Sequence, residues 1–449
     1  MQPGFDDFLD GLRGQLVRAA QAASETAPQP AARTPRAGIL GRLPLRQPRT
    51  ALVWAALVLL VGAATVAGVF LVAPAVRQSP SSAGNAIVPD THISVSPYRV
   101  EPLVPAVVAS PSAAPDTLEQ ADYLLSAVAA RPASDVWAVG ARVVPDETGP
   151  SGAQGHTFIL RWDGAQWRET PAPDVGPLSA VAVAANGDAW ALSGTSAAIL
   201  RWDGGQWAAV QPELPEGGVL NGLAVIAADD VWAVGGRPDG PLLVHYDGES
   251  WKTIDAPALP DGGGTLYSVS GSSPTDVWAV GVAADGTHGL TLHWDGAAWS
   301  PVRGADVGAD AATELYAVAA VSPTDAWAGG ALLQRWDGTQ WKAVPDRYGS
   351  ISGAISAVSA TDIWMRAADG RSAVHLNGET WQSVSTVDMG LAGDVNATVE
   401  AVTAAAADDV WVVGTVGQMD GGRSLPLVLH WDGIDWRVVV NSMQPAEGE

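Results

Sequence analysis

Short apolar runs closed by glycine or by a polar turn recur along the chain from about residue 119 to residue 440. In one copy they are Leu266-Tyr-Ser-Val-Ser270, Val277-Trp-Ala-Val-Gly281, Leu290-Thr-Leu-His-Trp294 and Trp299-Ser-Pro-Val302. Runs of this length bounded by turn residues predict strands. The first pair is joined by Ser273-Pro-Thr-Asp276, where proline presets φ and aspartate bonds the local backbone. The last pair is joined at Asp295-Gly296, the dipeptide expected in a narrow hairpin whose two central residues take positive φ. The strands are apolar throughout instead of alternating, which predicts sheets covered on both faces.

The pattern is a repeat. An Asp-x-Trp unit opens an apolar run at Trp137, Trp190, Trp232, Trp278, Trp327, Trp364 and Trp411, with a mean spacing of about 46 residues, the length of one propeller blade. A second element ends on Trp167, Trp207, Trp251, Trp299, Trp341, Trp381 and Trp436, in most copies as aromatic-Asp-Gly-x-x-Trp. Trp162, Trp202, Trp294, Trp336 and Trp431 precede the Asp-Gly, while Tyr246 and Leu376 stand in that place in the third and sixth copies. Four antiparallel strands repeated seven times predict an all-β, seven-bladed β-propeller. Residues placed equivalently in every copy serve what every blade needs, so these tryptophans read as packing, and the repeated aspartates read as turn residues.

The third copy, Val231-Trp-Ala-Val-Gly235-Gly236 followed by His245-Tyr246-Asp247-Gly-Glu-Ser-Trp251, resembles kelch repeats of the galactose-oxidase central-domain type. The resemblance covers about residues 119 to 440 and implies architecture without implying an activity. Only the third and fifth copies carry the glycine doublet, the fifth as Gly329-Gly330. A weaker resemblance, to the Asp-box propellers of sialidases and photosystem assembly factors, rests on the Asp-Gly-x-x-Trp turns. The copper chemistry of galactose oxidase is excluded, because it would require a cysteine and the chain has none. Without cysteine, disulfides, thiolate metal sites and iron-sulfur clusters are excluded as well.

Ahead of the repeats, residues 51 to 76 form 26 consecutive uncharged positions, enough helix to cross a hydrocarbon core of about 30 Å. This predicts one transmembrane helix. Five arginines (33, 36, 42, 46 and 49) precede it without an intervening acid, whereas only Arg77 and Arg99 follow before Arg131. That asymmetry predicts a plasma-membrane, single-pass protein with a cytoplasmic N-terminus and an extracytoplasmic C-terminal domain. Residues 1 to 25 read as a short amphipathic helix with Phe5, Leu9, Leu12 and Leu16 on one face, able to meet the inner membrane face or a cytoplasmic partner. Residues 26 to 50 read as a Pro/Ala/Arg-rich linker, 77 to 118 as an extended stalk and 441 to 449 as a tail. Within the stalk, Tyr98-Arg-Val-Glu-Pro102 resembles a fourth strand that could pair with the domain edge.

Charge sharpens the topology. Seven arginines and four acids give residues 1 to 50 a net +3, and the remainder, with 17 bases and 44 acids, carries -27. An acidic displayed surface excludes nucleic acid as a general partner. If the Asp-x-Trp and Asp-Gly turns share one rim of the propeller, the second-to-third and blade-to-blade loops share the other, and only the latter vary in length. That rim is the expected contact surface, and the binding candidates on it are Arg142, Asp146, His156, Arg237, Asp239, Asp285, His288, Arg347, Arg366, Arg371 and Arg423. The residues read as a non-catalytic scaffold binding an extracytoplasmic protein or polysaccharide, with no cofactor and no metal. Two rivals are a membrane-tethered carbohydrate hydrolase or lyase, for which Arg347, Tyr348, Arg366 and Arg371 are the nearest constellation, and a sensor signalling through residues 1 to 25. The histidines at 245, 293, 375 and 430 stand one or two residues before an Asp-Gly or Asn-Gly pair, so they read as repeat positions, not ligands.

Overall fold

A computed structural model describes residues 121–131, 135–145, 153–259, 263–308, 311–345, 353–391, 396–417 and 423–440. The predicted N-terminal helix, linker, membrane span, stalk and tail, and the Tyr98 segment, lie outside the described residues. Among those described, no helix is long and apolar enough to cross a membrane.

Among the described residues, 28 strands form seven four-stranded sheets, each built from consecutive antiparallel strands. This is the predicted propeller. In the fourth blade the strands are Gly264–Ser273, Asp276–Ala283, Gly289–Trp294 and Trp299–Pro301. The second strands are the most enclosed, and Asp276–Ala283 is buried from its first residue through Gly281. Packing on both faces accounts for their continuous apolarity. Seven hydrophobic clusters, each shared by two adjacent blades, make up nearly all of the core.

Each cluster centres on the tryptophan of Asp-x-Trp, which inserts between the aromatics of the next blade. Trp137 meets Trp202 and Trp207 at 5.1 and 5.0 Å between ring centroids, and Trp278 meets Trp336 and Trp341 at 4.9 and 5.0 Å. The closing tryptophan stands edge-on to it, at 85° and 83° in these two cases, a geometry the indole quadrupole favours. Trp411 of the seventh blade inserts against Trp162 and Trp167 of the first, both at 5.5 Å. Among the described residues the ring therefore closes by the same contact that joins every other pair of blades, with no exchanged strand, and Ser424 N adds a hydrogen bond to Asp122 Oδ1 at 2.6 Å.

The glycine ending the Trp-Ala-Val-Gly run has a steric cause. In five blades the inner strand carries a β-bulge, which leaves Ser126, Asn221, Tyr267, Tyr316 or Glu400 unpaired in the register. Opposite it stands Gly140, Gly235, Gly281, Gly330 or Gly414, where a Cβ would lie 1.9 Å from a carbonyl oxygen of the inner strand. Blades two and six have Ser193 and Ala367 at this position, and Arg366 stands one residue before it. The Arg366 side chain crosses to the seventh blade, donating from Nε to Val399 O at 2.5 Å and lying 3.4 Å from Glu400 Oε2.

The Asp-Gly turns differ from the expected narrow hairpin. Trp294 pairs with Trp299, so Asp295-Gly-Ala-Ala298 is a four-residue loop. Asp295 Oδ1 accepts from the backbone N–H of Ala297 and Ala298 at 2.8 and 2.9 Å, and only Gly296 takes positive φ, at 95°. The carboxylate organises the turn, which removes the need for a second left-handed residue. The same bonds recur at Asp163, Asp203, Asp247, Asp337 and Asp432.

Candidate binding rim

The two rims are built on different principles. On one, the first-to-second and third-to-fourth turns touch: Trp294 Nε1 donates to Pro274 O at 3.2 Å and Trp336 Nε1 to Pro323 O at 3.1 Å. Just inside this rim lies a group that recurs in all seven blades. The aspartate of Asp-x-Trp accepts from a basic side chain on the third strand, which in turn covers the tryptophan. His245, His293, His375 and His430 place Nε2 2.8, 2.8, 2.8 and 2.9 Å from Asp230, Asp276, Asp362 and Asp409. Their rings lie 3.9–4.3 Å from the centroids of Trp232, Trp278, Trp364 and Trp411. In the other blades arginine takes the place of histidine. Arg161, Arg201 and Arg335 pair with Asp135, Asp188 and Asp325 at 2.9, 2.9 and 2.6 Å. They stand 4.9–5.0 Å over Trp137, Trp190 and Trp327, a cation-π arrangement.

Asp-x-Trp thus has a cross-strand role that sequence reasoning missed: its aspartate fixes a histidine or arginine side chain over the buried indole. The signal was the basic residue, His or Arg, two positions before the Asp or Asn of each Asp/Asn-Gly turn. Burial would raise the carboxyl of Asp276, but hydrogen bonds from His293 and Ser272 outweigh it and hold the carboxyl below the usual range. Four His-Asp and three Arg-Asp pairs at one equivalent place in seven blades mark this group as architecture. Among the described residues, no group of three or more His, Asp or Glu is arranged to hold a metal ion.

The opposite rim carries the candidates, and no two blades shape it alike. On blade one, His156 Nδ1 lies 2.6 Å from Asp174 Oδ2, and Thr157 N donates to Asp174 Oδ1 at 2.9 Å. Burial would raise the Asp174 carboxyl, but these bonds and one from Gly176 N hold it below its ordinary value. They tie the blade-to-blade connection to the third strand. Arg142 sits between Tyr123 and His156 in the strand register. On blade three, Arg237 Nε lies 3.1 Å from the exposed Asp239. On blade four, Asp285 caps its turn by accepting from Thr287 N and His288 N at 2.9 and 3.0 Å, and it also pairs with the His288 ring. These bonds hold its carboxyl well below the usual range.

Arg371 Nη2 reaches Asn396 Oδ1 at 3.2 Å, so with Arg366 it ties blade six to blade seven. Arg423 is exposed beside the ring-closing seam. Asp146 and Arg347 lie outside the described residues. The described candidates therefore fall into separate groups on blades one, three, four, six and seven. The tryptophans predicted as packing are all in or against the inter-blade clusters.

No protein-family model matches the chain, and no curated protein matches it in sequence. Solved structures match in fold. A catalytically inactive variant of virginiamycin B lyase from Staphylococcus aureus with quinupristin aligns with a TM-score of 0.50 at 10% identity, covering 66% of this chain and 92% of that one. YCF48 bound to D1 peptide aligns with a TM-score of 0.47 at 13% identity, covering 74% and 100%. The RRP9 WD40 repeats align with a TM-score of 0.45 at 9% identity, covering 64% and 86%. At such identities the likeness concerns the propeller fold alone.

Proposed function

We propose that the chain is a membrane-anchored, extracytoplasmic kelch-like propeller that binds a protein or a surface glycan non-catalytically through its variable rim. The observation that carries this reading is the contrast between rims. One is assembled from near-identical turns whose carboxylates are saturated by their own backbone. The other joins the same blades by loops of differing length and chemistry, the usual location of recognition on a rigid scaffold. The His-Asp pairs that would tempt an enzymatic reading recur in four blades, at the place that Arg-Asp pairs take in the other three. The apolar segment 51 to 76 and the arginines preceding it support anchoring with the propeller outside the cytoplasm.

The test uses the full-length chain in detergent, applied to a glycan array and to envelope extracts for pull-down. A specific ligand should be retained, and should be lost when the connections at residues 146 to 152 and 418 to 423 are shortened. Silence in both assays, or binding indifferent to both loops, would sink the proposal.

A further inference from the structure

We infer that the outer edge of blade six is a docking site for an extended segment of another protein, taken up as a fifth strand, with an uncharged middle and a basic residue at each end. The surface is a sheet edge and not the variable rim, so the inference goes beyond the rim reading.

The fourth strand is the last in every sheet, so its outer side meets no further strand among the described residues. Such an edge can pair with any extended chain that reaches it, and proteins blunt it with charge, proline or shortness. Six blades do so. Arg168, Lys252, Lys342 and Arg437 stand second in the outer strands of blades one, three, five and seven, and each pairs with the turn aspartate of its own blade, Asp163, Asp247, Asp337 or Asp432. Blade four ends its three-residue strand on Pro301. Blade two has only Trp207–Val210, with Pro212 two residues beyond.

Blade six carries none of these devices. Its outer strand, Thr380–Ser385, is the longest of the seven at six residues and contains neither charge nor proline. Asn377 stands where the other blades have the turn aspartate, and Gln382 where four of them have the cation. The turn explains the length. Asn377 pairs with Thr380, so Gly378-Glu379 is a two-residue hairpin with Gly378 at φ 67°, whereas the other blades spend four residues on this loop.

The register determines which groups reach the edge. Thr386 N donates to Arg371 O at 3.0 Å, continuing the register that pairs Ser372 with Ser385. Bonded and non-bonded pairs alternate in an antiparallel ladder, so Ser383 and Ser385 turn their N–H and C=O outward. Ser385 is closed off, since its N–H donates to Asp388 Oδ2 at 2.8 Å and its carbonyl accepts from Met389 N at 3.0 Å. Ser383 is exposed and has no such cap among the described residues. An incoming residue opposite Ser383 can exchange two main-chain hydrogen bonds with it.

Charge selects the occupant. Glu379 directly precedes the strand and Asp388 folds back onto its last residue, and both are exposed. A second copy, paired antiparallel about Gln382, would bring its own Glu379 beside Asp388 at both ends of the contact, setting like charges together. A foreign strand with lysine or arginine at the positions opposite residues 379 and 385 meets opposite charge at both ends and a neutral edge between them.

The experiment is fluorescence anisotropy of a labelled Lys-Thr-Val-Thr-Val-Thr-Lys peptide with the full-length chain in detergent. Saturable binding is expected, weakened at high salt. Replacing both valines by proline removes amides that face the edge, and binding should fall about tenfold or more. Ser383→Pro should cost as much while the chain stays folded, because proline is tolerated on an edge strand where its N–H would point to solvent. Glu379→Lys should weaken binding about threefold or more. Glu249→Lys, on the exposed turn of blade three, should leave it unchanged. If Ser383→Pro lowers the thermal midpoint, Glu379→Lys and the proline peptide decide alone. No saturable binding by the wild-type chain, equal binding of the proline peptide, or an equal loss in Glu249→Lys would overturn the inference. A concentration-dependent dimer that Ser383→Pro abolishes would give the edge to a second copy and overturn the assigned partner.

Discussion

Replacing Trp278 by alanine tests whether the inserted tryptophans hold the blades together. The indole is fully buried, lies 4.3 Å from the His293 ring of its own blade, and contacts Trp336 and Trp341 of the next blade at 4.9 and 5.0 Å. Truncating a buried tryptophan costs about 3 to 5 kcal/mol, and each lost aromatic pair adds about 0.5 to 1.5 kcal/mol beyond area burial. Trp327 provides the internal comparison. It meets Trp381 at 6.0 Å, but Leu376 occupies the place of the second aromatic. Trp278→Ala should therefore exceed Trp327→Ala by about 1 kcal/mol. Equilibrium urea unfolding of the full-length chain, followed by far-ultraviolet circular dichroism so that the lost indole does not alter the signal, gives both values. A Trp278→Ala change below about 1 kcal/mol would refute the packing role. A larger cost at Trp327 would refute the reasoning from aromatic partners.

Further outcomes follow from the same geometry. Gly281→Ala should destabilise by about 3 kcal/mol or abolish folding, because its Cβ would lie 1.9 Å from Thr265 O; a thermal midpoint equal to wild type would contradict the bulge argument. Arg366→Ala should cost about 1 to 3 kcal/mol in urea unfolding, since it leaves Val399 O without its donor. The folded-state carboxyl of Asp276 lies below its unfolded value, so its contribution is complete above about pH 4 and fades as the pH falls through the lower folded value. Asp276→Asn should accordingly lose stability at neutral pH and flatten the acid limb of the stability curve; an unchanged acid limb would show that the pair with His293 carries no linkage.

Blade number and strand order were legible because indole placement is periodic and each blade uses consecutive strands. Trp137 and Trp411 are 274 residues apart in sequence, yet the same insertion rule assigns each to its neighbour and closes the ring. The role of the Asp-x-Trp aspartate was less legible. Its partner stands on a different strand, and it is histidine in four blades and arginine in three, so the common feature is an N–H donor laid over an indole and not a residue type.

A repeat fold supplies its own control, and departures from it are where function and local repair can be separated. Arg366 stands where four other blades carry valine, but its side chain finds the Val399 carbonyl and Glu400 on the next blade; that departure is absorbed by the scaffold. Leu376 departs from the aromatic rule and is absorbed by an aliphatic cluster with Ile363, Met365 and Val374. The connections of the second rim differ in length from blade to blade with no such compensation to make, and that is where recognition on this scaffold has room to vary.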